Sequence, residues 1–524
     1  MSELTLARLS DLESQEGEGS PSLMSQTLSR DPHATSGGND DSDGGRIPVE
    51  EWLPITESRK GNVYTATFHL LCSGLGFQVL VLPAAFAVLG WLWGMIVLTV
   101  GFAWKLYTIW LLVNLHEAVD GIRFSRYLRL AIASFGVKLG KLLGIFPVMY
   151  LSGGACAILV ITGGKTIKQL LDIMSADVTV PLTTLQCFLI FSILAVFMSQ
   201  FPNMNSLFGL SLVGSVMAVA YSTAVWTLPL ASERNQNNVS YTIKDTSFDN
   251  IINAIGFIAL AFRGSNLVLE IQGTLPSDSN NPSSKTMWRA VVISHVIIAI
   301  CMFLVAIVVY WAYGDKIPAT GGPIGNYLKL YEQDYSKQAA CFIHLTFIFY
   351  CLCSYPIYLM PSCDNLEMVY ITKTQKPCSF FVRMMLRVLL GSVGFFIAVG
   401  FSFLTYLAVL IGAVGLLVTS TYPCFMWVSI KKPQRKSLMW LLNVLVGSLG
   451  ASLSVLLVAL CIPTIAAIEG VPLGGDLRIC GGNNAAFGLP ETRLAVFPCD
   501  GGTETLKAGW KISIKETYIH RSKD

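Results

Sequence analysis

Three side chains charged at neutral pH, Lys105, Arg263 and Glu270, lie inside long apolar runs of this sequence, apart from Arg289 and Arg387 near the starts of two others. At a bilayer centre each would cost about 2.5 to 3.5 kcal/mol or more, so each is expected to face a cavity or a partner. Glu270, in Leu-Val-Leu-Glu-Ile-Gln, is a candidate proton carrier, because a carboxyl removed from water holds its proton more readily. Its plainer reading is a helix-end carboxylate near the headgroups. Arg263 reads equally as a guanidinium that binds a substrate carboxylate or holds a gate, and as one that satisfies unwound carbonyls. Lys105 reads first as a snorkelling or cavity-facing amine, with coupling or gating as the alternative. His69, four residues before Ser73, titrates near neutrality and joins the coupling candidates. His295 and His344 read as hydrogen-bonded packing residues.

Two of the apolar runs are interrupted in matching ways. One contains Ser73, Gly74, Leu75, Gly76 and Phe77; the other contains Phe262, Arg263, Gly264, Ser265 and Asn266. Glycine weakens a helix by about 1 kcal/mol and lets backbones approach closely, so both segments can unwind and offer free N–H and C=O groups. Paired broken helices in corresponding positions of two halves point to a transporter's substrate site, where the positive ends of the helix dipoles favour a carboxylate. The alternative is a small-residue contact between packed helices.

The elements that must position these residues are eleven apolar runs, at about 64–88, 91–114, 142–163, 185–201, 206–230, 250–272, 288–313, 338–360, 384–403, 405–429 and 438–462. Each is long enough to cross a bilayer, and they are continuous rather than alternating, which favours a helical bundle over a barrel. The interruptions fall in the first and sixth runs. Spans 1–5 and 6–10 are therefore expected to form a 5+5 repeat, inverted because five is odd. The chain of 524 residues is 53% hydrophobic and only 13% charged, against roughly 25% charged in a soluble domain, so a water-soluble globule is excluded.

The charge is unevenly spread, with 5 basic and 12 acidic residues in 1–60, 24 and 14 in 61–464, and 7 of each in 465–524. Loops after even-numbered spans, counted with Arg289 and Arg387 at the starts of the spans that follow, hold fifteen basic residues and the opposite loops seven, which predicts a cytoplasmic N-terminus and, with eleven spans, an extracellular C-terminus. The sequon at Asn238 falls in a loop expected outside, making Asn238 a candidate glycosylation site. Residues 1–50 read as a disordered acidic tail, 51–464 as the transmembrane domain and 465–524 as an atypical polar tail, in which Cys480 and Cys499 are the pair able to form a disulfide if that tail is lumenal. No metal-ligand spacing, nucleotide-binding loop or hydrolase elbow is present. No basic run with interleaved aromatics suggests nucleic acid.

The chain resembles the plant amino acid/auxin permease family, in its lysine-histidine-transporter-like branch. The likeness rests on Glu51 to Arg59, Gly74 to Pro83, Leu115 to Val119, Ala261 to Gln272 and Tyr422 to Val428. It implies a LeuT-like fold with eleven spans, proton-coupled uptake of amino acids, and a substrate site between Ser73–Phe77 and Phe262–Asn266. Ser265 and Lys105 stand where close relatives carry His and Gln, and the tail from 465 onward has no counterpart in the family. The expected function is secondary active, proton-coupled symport by alternating access, with no cofactor beyond the proton gradient. Expected partners are an amino acid, protons and the lipid bilayer, with the plasma membrane as location and the oligomeric state open. A membrane receptor that binds an amino acid without flux, or an auxin carrier, are the alternatives; an enzyme is not expected.

Overall fold

The structure is a computed structural model that describes residues 52–119, 122–174, 182–231, 239–243, 247–262, 267–278, 280–317, 336–400 and 404–468. The expected tail 1–50, nearly all of 465–524, the sequon residue Asn238, and Arg263, Gly264, Ser265 and Asn266 lie outside the described residues.

Helix α1 (Val63–Gly74) starts in a capping box. The Asn62 side chain accepts from Thr65 N at 3.0 Å, and the Thr65 hydroxyl accepts from Asn62 N at 2.7 Å. The helix stops at Leu75, which is extended at φ −112° and ψ 97°. α2 (Gln78–Leu115) begins three residues later and is not one rod, because Gly90 at φ 71° and ψ −179° turns the chain between two helical stretches. That region is open essentially to glycine alone. The expected spans 64–88 and 91–114 thus meet at a corner made by one residue.

A short helix, α3 (Tyr127–Phe135), lies against α4 (Val137–Met174). The sequence alone places a loop here, since nine residues are too short to show a clear period. α4 is 38 residues long where 142–163 is expected from the apolar run. It runs on through Lys165 to Met174 because nothing there breaks a helix, and Lys168 and Asp172 form an i,i+4 pair at 2.5 Å. α5 (Thr184–Met198), α6 (Phe208–Ala231), α7 (Phe248–Ala261), α8 (Val268–Gly273) and α9 (Ser283–Tyr313) follow. α10 (Lys337–Thr374) corrects the expected 338–360 by a further fourteen residues: it continues through Pro356 and Pro361, which neighbouring helices make tolerable inside a bundle. α11 (Phe380–Gly400), α12 (Leu404–Leu416), a π-helical turn at Leu417–Thr421, α13 (Tyr422–Lys431) and α14 (Leu438–Ile468) complete the order.

Among the described residues eight helices are long and apolar enough to cross a membrane, and two shorter apolar ones span Thr184–Met198 and Asn250–Ala261. Packing sorts them into two groups. α1, α2, α7, α8 and α9 lie against one another; α4, α5, α10 and α11 form the other set; α6 touches α1, α9 and α10, and α12 joins α7 to α4. Leu92, Phe197, Phe381 and Leu438 point outward with large exposed surfaces, as lipid-facing side chains do.

Gly90→Val forces a β-branched residue into the glycine-only region and against Ile243 Cδ1, which a Cβ would meet at 3.1 Å. The expected outcome is a loss of about 1 to 3 kcal/mol, read as a lower thermal midpoint of the detergent-solubilised protein, with Gly90→Ala intermediate.

Candidate functional site

The last four carbonyls of an α-helix have no partners within the helix, and away from water each must find one elsewhere. α1 ends inside the bundle, and all four are met. Leu71 O accepts from Leu75 N at 2.9 Å, Cys72 O from the Ser354 hydroxyl at 3.3 Å, Ser73 O from the Tyr358 hydroxyl, and Gly74 O from Gln78 Nε2 at 3.1 Å. The Ser73 hydroxyl turns back to His69 O at 2.8 Å. Ser354 and Tyr358 belong to a stripe on α10, with Tyr350, Ser354 and Tyr358 spaced four residues apart on one helix face.

The third member of the stripe does something different. A methyl built on Gly76 would collide with the Tyr350 hydroxyl and stand 2.7 Å from Gln78 Oε1, so both polar atoms lie over the glycine. Both are buried, and neither has a hydrogen-bond partner among the described residues; the buried Tyr221 hydroxyl is in the same condition, its ring 5.6 Å from that of Tyr350. A buried polar group left so costs roughly 1 to 3 kcal/mol. Three of them beside an interrupted helix make a surface that a polar ligand or water would satisfy. Leu75 and Phe77 are buried within the same interruption.

Of the segment where the second interruption is expected, only the two flanks are described. α7 ends at Ala261 and α8 begins at Val268, and Arg263, Gly264, Ser265 and Asn266 between them lie outside the described residues. Phe262 is seated against α2, in a notch where a Cβ on Gly101 would meet its ring at 2.7 Å. Lys105 Nζ stands 5.8 Å from the Phe262 ring centroid, within cation–π range, and Phe102 packs on both Phe262 and His295. Lys105 is therefore beside Phe262, at the end of α7, rather than snorkelling, since it is almost wholly buried. His295 is anchored by Nδ1 to Val291 O at 2.9 Å.

His69 sits on α1 with Nδ1 2.5 Å from the Ser211 hydroxyl of α6. Glu270, on α8, is buried; its Oε1 accepts from Tyr127 N at 3.3 Å, at the start of α3, while Oε2 has no partner among the described residues. The plain headgroup reading of Glu270 does not fit a side chain 2% exposed.

Charged groups that sequence reasoning did not single out appear where α10 outruns its expected end: Asp364 and Glu367 are fully buried, the first paired with Arg126 and the second with Arg383 at 3.0 Å. The four-residue spacing of Tyr350, Ser354 and Tyr358 was the available signal for the hydroxyl stripe; nothing in the sequence marked Arg126 as Asp364's partner. In the loop after α2, burial and then the charges of Arg123 and Arg59 hold His116 well below its ordinary pKa. Among the described residues no group of three His, Cys, Asp or Glu side chains is arranged to hold a metal ion.

Residues 59–463 match the family described as Transmembrane amino acid transporter protein. Lysine histidine transporter-like 7 of Arabidopsis thaliana is 74% identical over 456 residues, covering 87% of this chain and 95% of that protein. Lysine histidine transporter-like 8 of the same plant is 46% identical over 78% of this chain and 79% of its own length, and its GABA transporter 1 is 27% identical over 76% and 89%. A solved Na+-coupled sialic acid symporter, in a substrate-bound outward-open state, superposes with a TM-score of 0.52 at 13% identity, over 80% of this chain and 92% of that one. That likeness is one of fold.

Gly76→Ala pushes a methyl into the Tyr350 hydroxyl, an overpacking expected to cost about 1 to 3 kcal/mol. Adding Tyr350→Phe removes the colliding oxygen and is expected to restore part of the lost thermal midpoint. A double variant no more stable than Gly76→Ala alone would mean that Tyr350 does not lie over the glycine.

Proposed function

The chain belongs to the transmembrane amino acid transporter family, in its lysine-histidine-transporter-like branch, and from that premise we propose that it works by proton-coupled symport with alternating access. It is a multi-pass membrane protein and an amino acid transporter; its relatives are transporters, not enzymes. In the finer reading, α1 with the first stretch of α2, the second stretch of α2, α4, α5, α6, α7 with α8, α9, α10, α11, α12 with α13, and α14 make eleven crossings, of which the first ten form two inverted halves.

The observation that carries the site is the interruption between Gly74 and Gln78, set against which the Tyr350 and Tyr221 hydroxyls and Gln78 Oε1 have no partner among the described residues. Because α10 and Gln78 take up the carbonyls that end α1, the polar demand left there is for groups able to meet two hydroxyls and an amide oxygen. An amino acid supplies both kinds, a carboxylate acceptor and an ammonium donor. Gly76 has no side chain, so the substrate backbone can lie close to the main chain. Phe262 and Lys105 would close the opposite side.

Glu270 is the proposed proton carrier. Ionised, its Oε1 holds the N–H at the positive start of α3; the proton would go to Oε2, which has no partner among the described residues. Adding it removes the negative charge from that helix start, so α8 and α3 are held together less firmly. The N-terminus is proposed to be cytoplasmic, on the loop charges, and the location to be the plasma membrane.

Uptake of labelled amino acids by transport-deficient cells is expected to rise at least tenfold with an inward proton gradient. Glu270→Gln is expected to lose that dependence while keeping surface expression and exchange of substrate for substrate. Flux unaffected by collapsing the gradient would refute the coupling. Saturable binding with no flux of any amino acid would favour a receptor instead.

A further inference from the structure

Asp364 on α10 gathers three donors. Arg126 Nε reaches Oδ2 at 2.5 Å, and Arg126 Nη2 and Ile55 N reach Oδ1 at 3.3 Å each. The same guanidinium donates to the Thr56 hydroxyl at 3.1 Å. One carboxylate thus ties α10 to two segments distant in sequence: residues 52–61, a strap that leads into α1, and Arg126, the residue just before α3. Other holds on the strap exist, from Met204 N to Pro54 O at 3.1 Å, from Gly61 N to Thr274 O at 3.0 Å and from Arg383 Nη2 to Trp52 O at 2.7 Å. The Arg126–Asp364 pair differs from these in being charged on both sides, and from the Arg383–Glu57 ion pair of the same strap, 14% and 36% exposed, in being almost wholly dry, at 1% and 0%. Removing one member of such a pair leaves an uncompensated buried charge.

The pair stands between the interruption and one face of the bundle. Asp364 lies six residues beyond Tyr358, roughly 9 Å along a helix, on the side where the strap enters α1. Closure there is tight, for a Cβ on Gly273 at the end of α8 would stand 2.8 Å from Ser125 Cβ and 3.3 Å from Ile55 Cγ2. Ser125 is fully buried and its hydroxyl has no partner among the described residues. Strap, α3 entrance and α8 therefore meet on the side where the strap enters α1.

We propose that the Arg126–Asp364 pair is the latch of the gate on the strap face, and that substrate release to that side requires Arg126 and Ile55 to leave Asp364. The inference rests on the transport reading of the site. Arg126, Asp364 and Thr56 act as positioning residues: they touch the gate, not the amino acid.

Ser125→Cys supplies a reporter thiol, read by the rate of labelling with a membrane-impermeant maleimide in sealed vesicles of both orientations and located by mass spectrometry. Asp364→Asn is expected to raise its labelling from the strap face at least tenfold, and Thr56→Val and Arg126→Lys by about two- to fivefold each. The buried native cysteines Cys156 and Cys351 should stay unlabelled throughout. Unchanged labelling in Thr56→Val and Arg126→Lys, which keep the buried charges and carry the test if Asp364→Asn does not reach the membrane, would overturn the latch. So would labelling of Cys156 and Cys351 that rises together with that of the reporter thiol, since that is general loosening. Labelling needs no flux, so a failed uptake assay leaves the result readable. A response confined to the strap face supports the latch whichever side of the membrane that face occupies.

Discussion

A helix that ends inside a membrane protein has carbonyls to satisfy and no water to satisfy them, and the arrangement of this bundle around α1 follows from that demand. The interruption at residues 75–77 is permitted because Ser354, Tyr358 and Gln78 bring donors to Cys72, Ser73 and Gly74. Two of those donors come from α10, so the rotation of α10 about its own axis is fixed by the end of α1. That rotation has further effects. It sets Tyr350 over Gly76, and fourteen residues later, close to four helical turns, it returns Asp364 to nearly the same face, toward the strap. Site and latch are read off one helix.

The two places use different kinds of polarity, and the difference is physical. Around the interruption the groups without partners among the described residues are neutral, two phenol hydroxyls and an amide oxygen, and leaving such groups unmet costs little enough to be tolerated between occupants. A buried charge left without its partner would cost far more. At the latch the groups are charged, and the structure has them paired. A site that must empty and fill is better built from hydroxyls; a closure that must hold until something releases it is better built from a guanidinium and a carboxylate.

Much of the bundle was legible because a hydrocarbon solvent writes long apolar runs into a sequence. Gly74 and Gly76 located the first interruption for the same reason, as the residues least suited to the middle of a helix. What was not legible depended on partners far along the chain. Pro361 reads locally as a stop, so the apolar run ends at 360 and Asp364 and Glu367 read as loop residues; the packed helix carries them four turns from Tyr350 into a dry interface. Arg126 looks like one of several basic loop residues, since its partner is 238 positions away. Lys105 could be placed beside the end of α7 only through Phe262. α3 is too short for its period to stand out, yet its first residues bind both Glu270 and Asp364.

That last juxtaposition constrains how a proton could act on the gate. Arg126 is held by Asp364 of α10, and Tyr127, the next residue, donates its N–H to Glu270 of α8. Consecutive residues cannot move independently over more than a bond rotation or two. An event at Glu270 that frees Tyr127 N is therefore felt at Arg126 without any intervening chain of contacts. A ligand or proton shifts a conformational equilibrium only by the difference in how it binds the two states, and here the difference is local: the charge on Glu270 is worth most where the α3 start is against it and least once α3 has moved. A proton on Glu270 removes a reason for α3 to stay. An ionised Glu270 restores it and favours re-formation of the Arg126–Asp364 pair. On the proposed coupling, closing the strap face would be tied to giving up the proton on that side, the order of events that symport into the strap-side compartment requires.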